Sequence, residues 1–83
     1  MFTGTQFTHT MTPNQSLNFF TFNWPKAWDV NWMIEPTTVG SAAQIDWTVS
    51  TQLSPGGITY WILVKNLSNA TVDIEGRFAV LNA

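Results

Sequence analysis

The chain has 83 residues, of which 45% are hydrophobic, 14% aromatic and only 10% charged, with a formal net charge of -2. This length leaves room for one domain, residues 1–83. The lack of cysteine excludes a disulfide scaffold and a cysteine-ligated zinc site, and three basic residues are too few for a nucleic-acid-binding surface.

The N-terminal third predicts two strands. Thr5–Thr10 is rich in threonine, and a strand here would place Phe7, His9 and Met11 on one face. A turn follows at Pro13-Asn14-Gln15. Ser16–Asn23 then predicts a strand with apolar groups on both faces, carried by Leu17, Phe19, Phe20 and Phe22. Residues 24–27, Trp-Pro-Lys-Ala, end this strand.

Two structures fit the segment that follows. From Trp28 to Glu35 apolar and polar residues alternate, which predicts a strand with Trp28, Val30, Trp32 and Ile34 on one face. The spacing of Trp24, Trp28 and Trp32 also fits one face of a short helix that starts at Pro25. Because Trp, Asp, Val and Asn are weak helix formers, the strand is favoured for residues 25–33, and the helix remains the alternative.

The C-terminal half predicts three more strands, separated by turns. Residues 36–41 form a loop, and a half-buried strand runs from Ala43 to Gln52 with Ile45, Trp47 and Val49 inward. After the turn at residues 54–57, the strand from Ile58 to Lys65 is apolar on both faces and should be central or covered on both sides. After the turn at residues 66–69, the last strand runs from Thr71 to Leu81 with Val72, Ile74, Phe78 and Val80 inward. Gly76 within it suggests a bulge or a close backbone approach. These three strands predict an antiparallel meander.

Together the pattern predicts an all-β fold, a small antiparallel β-sandwich of about six strands, Ig-like or barrel-like. A single small core cannot hold five tryptophans, and a charge-poor, aromatic-rich surface is typical of a subunit interface. We therefore predict a homo-oligomer with Trp61, Phe20 and Phe22 in the interface. The apolar run Ile58–Val64 is much shorter than the roughly 20 residues of a membrane-spanning helix, and the lack of a basic patch argues against membrane contact.

Catalytic and metal-binding groups are sparse. His9 is the single histidine and is expected on an exposed edge strand, and no G-x-S-x-G or calcium-loop pattern occurs. The carboxylates are expected on solvated faces, with Asp73 or Glu75 pairing with Arg77 or Lys65. We therefore predict a protein that is not an enzyme and has no catalytic residues, metal or cofactor.

The segment from Asn23 to Trp32 favours carbohydrate binding. Tryptophan faces stack on the C–H surfaces of sugars, and neighbouring polar side chains bond hydroxyl groups. The predicted ligand-binding residues are Trp24, Trp28, Asp29, Asn31 and Trp32. The leading interpretation is a small, homo-oligomeric, lectin-like binding module. The alternative is a structural self-assembly module without a small ligand, in which the same aromatic residues hold the subunits together.

Overall fold

A computed structural model describes residues 1–40 and 42–83. These residues form six β-strands and no helix, so the described chain has no helical segment that could cross a membrane. The strands are β1 Phe2–Met11, β2 Ser16–Trp24, β3 Val30–Pro36, β4 Ile45–Ser54, β5 Gly57–Asn66 and β6 Val72–Val80.

All strand pairings are antiparallel, and they form two three-stranded sheets. One sheet has the order β1-β6-β3 and is called the β6 sheet; the other has the order β2-β5-β4 and is called the β5 sheet. The two sheets pack face to face. The predicted all-β class with six antiparallel strands is confirmed, and so is the central position of the strand that is apolar on both faces, β5.

The segment before β3 is a turn rather than a helix. The Trp28 N–H donates to the Pro25 carbonyl at 3.1 Å, and the chain enters β3 at Val30 rather than at the predicted Trp28. Pro36 closes β3, and residues 37–40 follow as irregular chain. The last residue of the predicted loop, Ser41, lies outside the described residues.

The predicted meander of the last three strands is wrong at its final step. β4 and β5 form a hairpin, but β6 lies between β1 and β3 in the opposite sheet. The reason is that β5 is already paired with β2 on one side and β4 on the other, so it has no free edge for β6. The connection after Asn66 therefore carries the chain across to the second layer.

The core lies between the sheets and is built from alternate residues of the strands, as the two-residue period of a strand requires. Half-buried side chains, including Trp47 and Phe78, surround it. The predicted inward set of the last strand is confirmed, with Asp73 and Arg77 exposed on the other face. The buried apolar residues are Met11, Trp32, Ile34, Tyr60, Ile62, Val64, Val72, Ile74 and Val80.

Gly76 marks the predicted close approach. The register of β1 against β6 shifts between Thr5 and Phe7, opposite Arg77 and Gly76. The Phe7 ring lies over Gly76, where a Cβ atom would be 2.1 Å from Phe7 Cε2. That ring then stacks on Phe19 of the β5 sheet, with centroids 4.4 Å apart. The missing side chain of Gly76 thus makes space for an aromatic contact between the sheets.

The Asn66 side chain connects two loops at one end of the sandwich. Its side chain is fully buried, and its Nδ2 donates to the carbonyls of Thr12, at 3.1 Å, and Ala70, at 2.8 Å. Its Oδ1 accepts hydrogen bonds from the Ser68 N–H, at 3.0 Å, and from the Ser68 hydroxyl, at 2.6 Å. One amide therefore satisfies backbone groups in the β1–β2 turn and in the β5–β6 connection.

Candidate functional site

The tryptophans predicted to form a ligand platform are divided between the core and its margin. Trp32 is only 6% exposed and contacts Trp24, Tyr60 and Phe78, with ring centroids 5.5–5.8 Å away. Its Nε1 is buried and has no hydrogen-bond partner among the described residues. A ring enclosed in this way has no free face for a sugar, so its position is that of a core residue.

Trp24 and Trp28 line the same cluster from outside. Trp24 is half-buried, lies edge-on to Phe78 at 5.0 Å, and donates its Nε1–H to the Thr21 hydroxyl at 3.0 Å. Trp28 is half-buried as well and makes edge contacts with Phe2, at 6.2 Å, and Trp24, at 6.3 Å. These contacts explain the cluster by packing between aromatic rings.

The two polar residues predicted for the same site are exposed. Asp29 is exposed, and its backbone bonds the C-terminus: its N–H donates to Asn82 Oδ1 and its carbonyl accepts from Leu81, both at 2.8 Å. Asn31 is on the outer face of the β6 sheet, because it alternates with the buried Trp32. The five predicted ligand residues therefore do not share one surface.

A shallow hollow of about 350 Å³ lies around Asn31 on that outer face. Its polar lining comes from Thr3, Thr5 and Arg77, and the Arg77 guanidinium is paired with the Glu75 carboxylate at 2.8 Å. The predicted pairing of Glu75 with Arg77 is thereby confirmed. The aromatic residue in its lining, Phe78, packs its ring against Trp24 and Trp32, so the hollow offers hydrogen bonds rather than a stacking platform.

The residues predicted for an interface do come together. Phe20, Phe22 and Trp61 lie on the outer face of the β5 sheet, and we call them the aromatic row. Their side chains are 59%, 60% and 37% exposed. The centroid distance is 5.2 Å between Phe20 and Trp61 and 6.2 Å between Phe20 and Phe22, with ring planes within 31° and 24° of parallel.

Strand register creates this row. Phe20 pairs directly with Trp61, and Phe22 follows two positions later on the same face of β2. The core-facing residues of the same strands, Phe19 and Ile62, pair beside them. Strands with apolar residues at both odd and even positions thus carry a second apolar face, which meets no other layer among the described residues.

Polar groups flank the row on the neighbouring strand. Trp61 Nε1–H donates to Gln52 Oε1 at 2.9 Å, which holds the indole in one orientation. Ser50 of β4 pairs with Trp61, and Asn18 of β2 pairs with Leu63, so both lie on the same face. Among the described strand residues of this face, the charged ones are Asp46 and Lys65, which face each other beyond Leu63. The surface around the row is therefore neutral, with hydroxyl and amide groups.

The remaining titratable residues form no comparable site. His9 is exposed on the edge strand β1, where its ring meets the edge of Phe19 at 5.6 Å. Within residues 1–40 and 42–83, no three His, Asp or Glu side chains are grouped to hold a metal ion. Burial raises the pKa of the Tyr60 phenol, and the negative charge of Asp29 raises it further.

Comparisons with protein-family models, with curated protein sequences and with solved structures find no significant match to this chain. The functional argument therefore depends on the chemistry of its own surfaces.

Proposed function

We propose that this protein is a non-enzymatic binding module that takes a neutral carbohydrate on the aromatic row. The observation that carries the proposal is the row itself: two exposed phenylalanines and an exposed, hydrogen-bonded tryptophan on one sheet face. Contiguous apolar surface of this kind is uncommon on soluble domains and marks binding sites.

The chemistry of the row matches a sugar. One face of a pyranose ring presents C–H groups, which pack on an aromatic ring, while its edge presents hydroxyl groups. The row supplies the rings, and Gln52, Ser50 and Asn18 supply donors and acceptors beside them. Since Gln52 already fixes the indole of Trp61, less conformational entropy is lost when a ligand binds.

The charge distribution selects among ligand classes. No basic residue of the described strands is paired with a member of the row, whereas nucleic acids and anionic lipids are bound by clusters of lysine and arginine. Asp46 and Lys65 face each other across β4 and β5, so they leave little net charge on this face. These features favour an uncharged ligand.

A second candidate function is self-assembly through the same row, without a small ligand. It is favoured by Leu63, which is exposed next to Trp61 on β5 and continues the apolar surface beyond the rings. Aromatic residues and a lack of charge are also typical of the centre of a protein interface.

Substitutions at Trp61 separate the two functions. We expect wild-type protein to bind one or more members of a panel of cello-, xylo- and manno-oligosaccharides in isothermal titration calorimetry. Trp61→Leu should lower that affinity about tenfold, the equivalent of about 1.4 kcal/mol, because it removes the ring and keeps an apolar side chain. Trp61→Phe should keep most of the affinity.

Leu63→Ala is the matched control, since it shortens an exposed apolar neighbour of Trp61 on the same strand and face. Under the carbohydrate proposal it leaves affinity within about twofold of wild type. If no panel member binds, and Trp61→Leu and Leu63→Ala both alter the native mass, the row is a subunit interface and the carbohydrate proposal fails. Far-ultraviolet circular dichroism of each variant shows that the fold is retained.

A further inference from the structure

One sheet edge of the sandwich lacks the features that keep edges from pairing. Among the four edge strands, β1 and β2 have register breaks at Thr5/Phe7 and Thr21/Trp24, and β3 is short and ends at Pro36. β4 keeps an unbroken register with β5 from Ile45 to Ser54 and contains no Pro, Lys or Arg. Bulges, prolines and lysines are the usual protection of an edge strand, so β4 is the unprotected one.

The hydrogen-bonding direction along β4 can be read from its ends. The Leu67 N–H donates to the Gln44 carbonyl at 2.9 Å, and the register then alternates along the hairpin. The even-numbered residues of β4 therefore bond to β5. The odd-numbered residues direct their N–H and C=O groups to the free side of β4, where no backbone partner is found among the described residues. These odd-numbered residues are Ile45, Trp47, Val49, Thr51 and Leu53.

The side chains of these odd-numbered residues are incompletely covered. They lie on the core-facing side of the β5 sheet, since Val49 pairs with Ile62 and Leu53 with Ile58. Yet Val49 is 39% exposed and Leu53 is 63% exposed. The second half of β4 thus presents both free backbone groups and apolar side chains along the same edge.

We propose that β4 pairs antiparallel with β4 of a second copy of this chain, about a two-fold axis at Val49. This register places Val49 opposite Val49, Thr51 opposite Trp47, and Leu53 opposite Ile45. The exposed Leu53 then contacts an apolar partner, and β-branched residues meet at the axis, an arrangement that stabilises strand pairs.

Other registers are less favourable. A shift by one residue in the pairing would set core-facing side chains against solvent-facing ones. The register centred on Ser50 avoids this, but it forms one hydrogen-bonding pair fewer and leaves Ile45 without a partner residue. The Val49 register therefore uses the free edge most completely.

The charges on β4 fit a second copy of the same strand. Asp46 is its one ionisable residue, and in the proposed register it lies opposite Gln52. The two Asp46 side chains are at opposite ends of the interface, so no like charges face each other. The edge is therefore complementary to itself, as a two-fold interface requires.

Pairing of this kind extends the β5 sheet into six strands, in the order β2-β5-β4-β4-β5-β2. Its two-fold axis is perpendicular to the sheet, so the aromatic rows of both copies are on the same face. The inference uses β4 alone and does not depend on carbohydrate binding. If both hold, the dimer is a bivalent surface whose avidity exceeds the affinity of one row.

Single cysteines test the register, because the chain contains none of its own. Directly paired Cα atoms at a hydrogen-bonding position are about 5.5 Å apart, which suits a disulfide. Under mild oxidation, V49C should form a covalent dimer on non-reducing gels, and the matched variant S50C should remain largely monomeric. Cross-linking of S50C but not V49C would overturn this register, and cross-linking of F20C alone would overturn the β4 interface.

Charge reversal tests the association itself. Light scattering after size exclusion should give twice the 9.3 kDa chain mass for wild type at high concentration. V49K and V49E should each be folded by circular dichroism but have the monomer mass, and an equimolar mixture should recover the dimer. A wild-type protein that is monomeric up to millimolar concentration, or a V49K variant that still dimerises, would refute the proposal.

Discussion

Asn66→Ala should be among the most destabilising polar substitutions in this protein. The Asn66 side chain makes four hydrogen bonds at a fully buried position, and its partners belong to two separate connections. Truncation leaves the Ser68 N–H without its partner, and the Thr12 carbonyl keeps only the hydrogen bond from the Gln15 N–H, at 3.1 Å. The Ala70 carbonyl keeps only the longer contact from the Ser68 hydroxyl, at 3.4 Å.

The expected loss follows from the four hydrogen bonds that Asn66→Ala removes. Each intramolecular hydrogen bond contributes a net of about 0.5–1.5 kcal/mol to stability, so the four together contribute about 2–6 kcal/mol. The free energy of unfolding of a domain of this size is roughly 4–12 kcal/mol. The variant should therefore lose about a sixth or more of that free energy, and its melting temperature should fall by at least about 8 °C.

Urea unfolding followed by tryptophan fluorescence and circular dichroism measures this loss at one fixed protein concentration. Asn69→Ala is the matched control, because Asn69 is exposed and accepts one bond, from Asn14 Nδ2 at 3.2 Å. The control should stay within about 0.5 kcal/mol of wild type. If Asn66→Ala lost no more stability than the control, the view of Asn66 as the link between these loops would be wrong.

Two further predictions concern the core. Gly76→Ala should lower the free energy of unfolding by about 1–3 kcal/mol, because its Cβ atom would displace the Phe7 ring from its stack on Phe19. Adding Phe7→Leu should recover part of the loss. Thermal unfolding measures the stability of both variants, and an unchanged melting temperature for Gly76→Ala would contradict the contact. Tyr60 is the single tyrosine, so absorbance of its phenolate should titrate as one site with a pKa above the ordinary value of about 10. Because the folded-state pKa is raised, stability is unaffected by this group below pH 10 and falls as pH rises through the folded pKa. Tyr60→Phe should remove that dependence, whereas a midpoint at or below 10 would exclude the burial effect.

Much of the secondary structure is predictable from alternation. The patterns around Trp47, Val72 and Ile74 placed β4 and β6 and assigned their inner faces, because a strand that separates core from solvent repeats every two residues. The start of β3 was less predictable. Trp28 continues the alternating pattern, but its N–H closes a turn with Pro25, and the strand begins only at Val30.

The alternation pattern does not predict which tryptophans of the candidate site are buried and which are exposed. Trp32 and Trp61 both occupy regular positions on strands, yet Trp32 is buried among three aromatic neighbours in the core and Trp61 is exposed. Local pattern shows that Trp61 is opposite the face of Ile62, but it does not show whether another layer covers that face. The assignment of the exposed aromatic residues to an interaction surface remains a prediction that Trp61→Leu tests.

The amino-acid sequence by itself determined that this protein is made of short strands, with a period of two residues and turns at Pro, Gly and Asn positions. These properties depend on neighbours along the chain, and local sterics and turn chemistry are enough to specify them. Only the tertiary structure decided that β6 joins β1 and β3, that Trp32 belongs to the core, and that the aromatic row and the free edge of β4 are the surfaces left open. Pairing depends on which edges are already occupied, and burial depends on which faces meet, so both are properties of the assembled sheets.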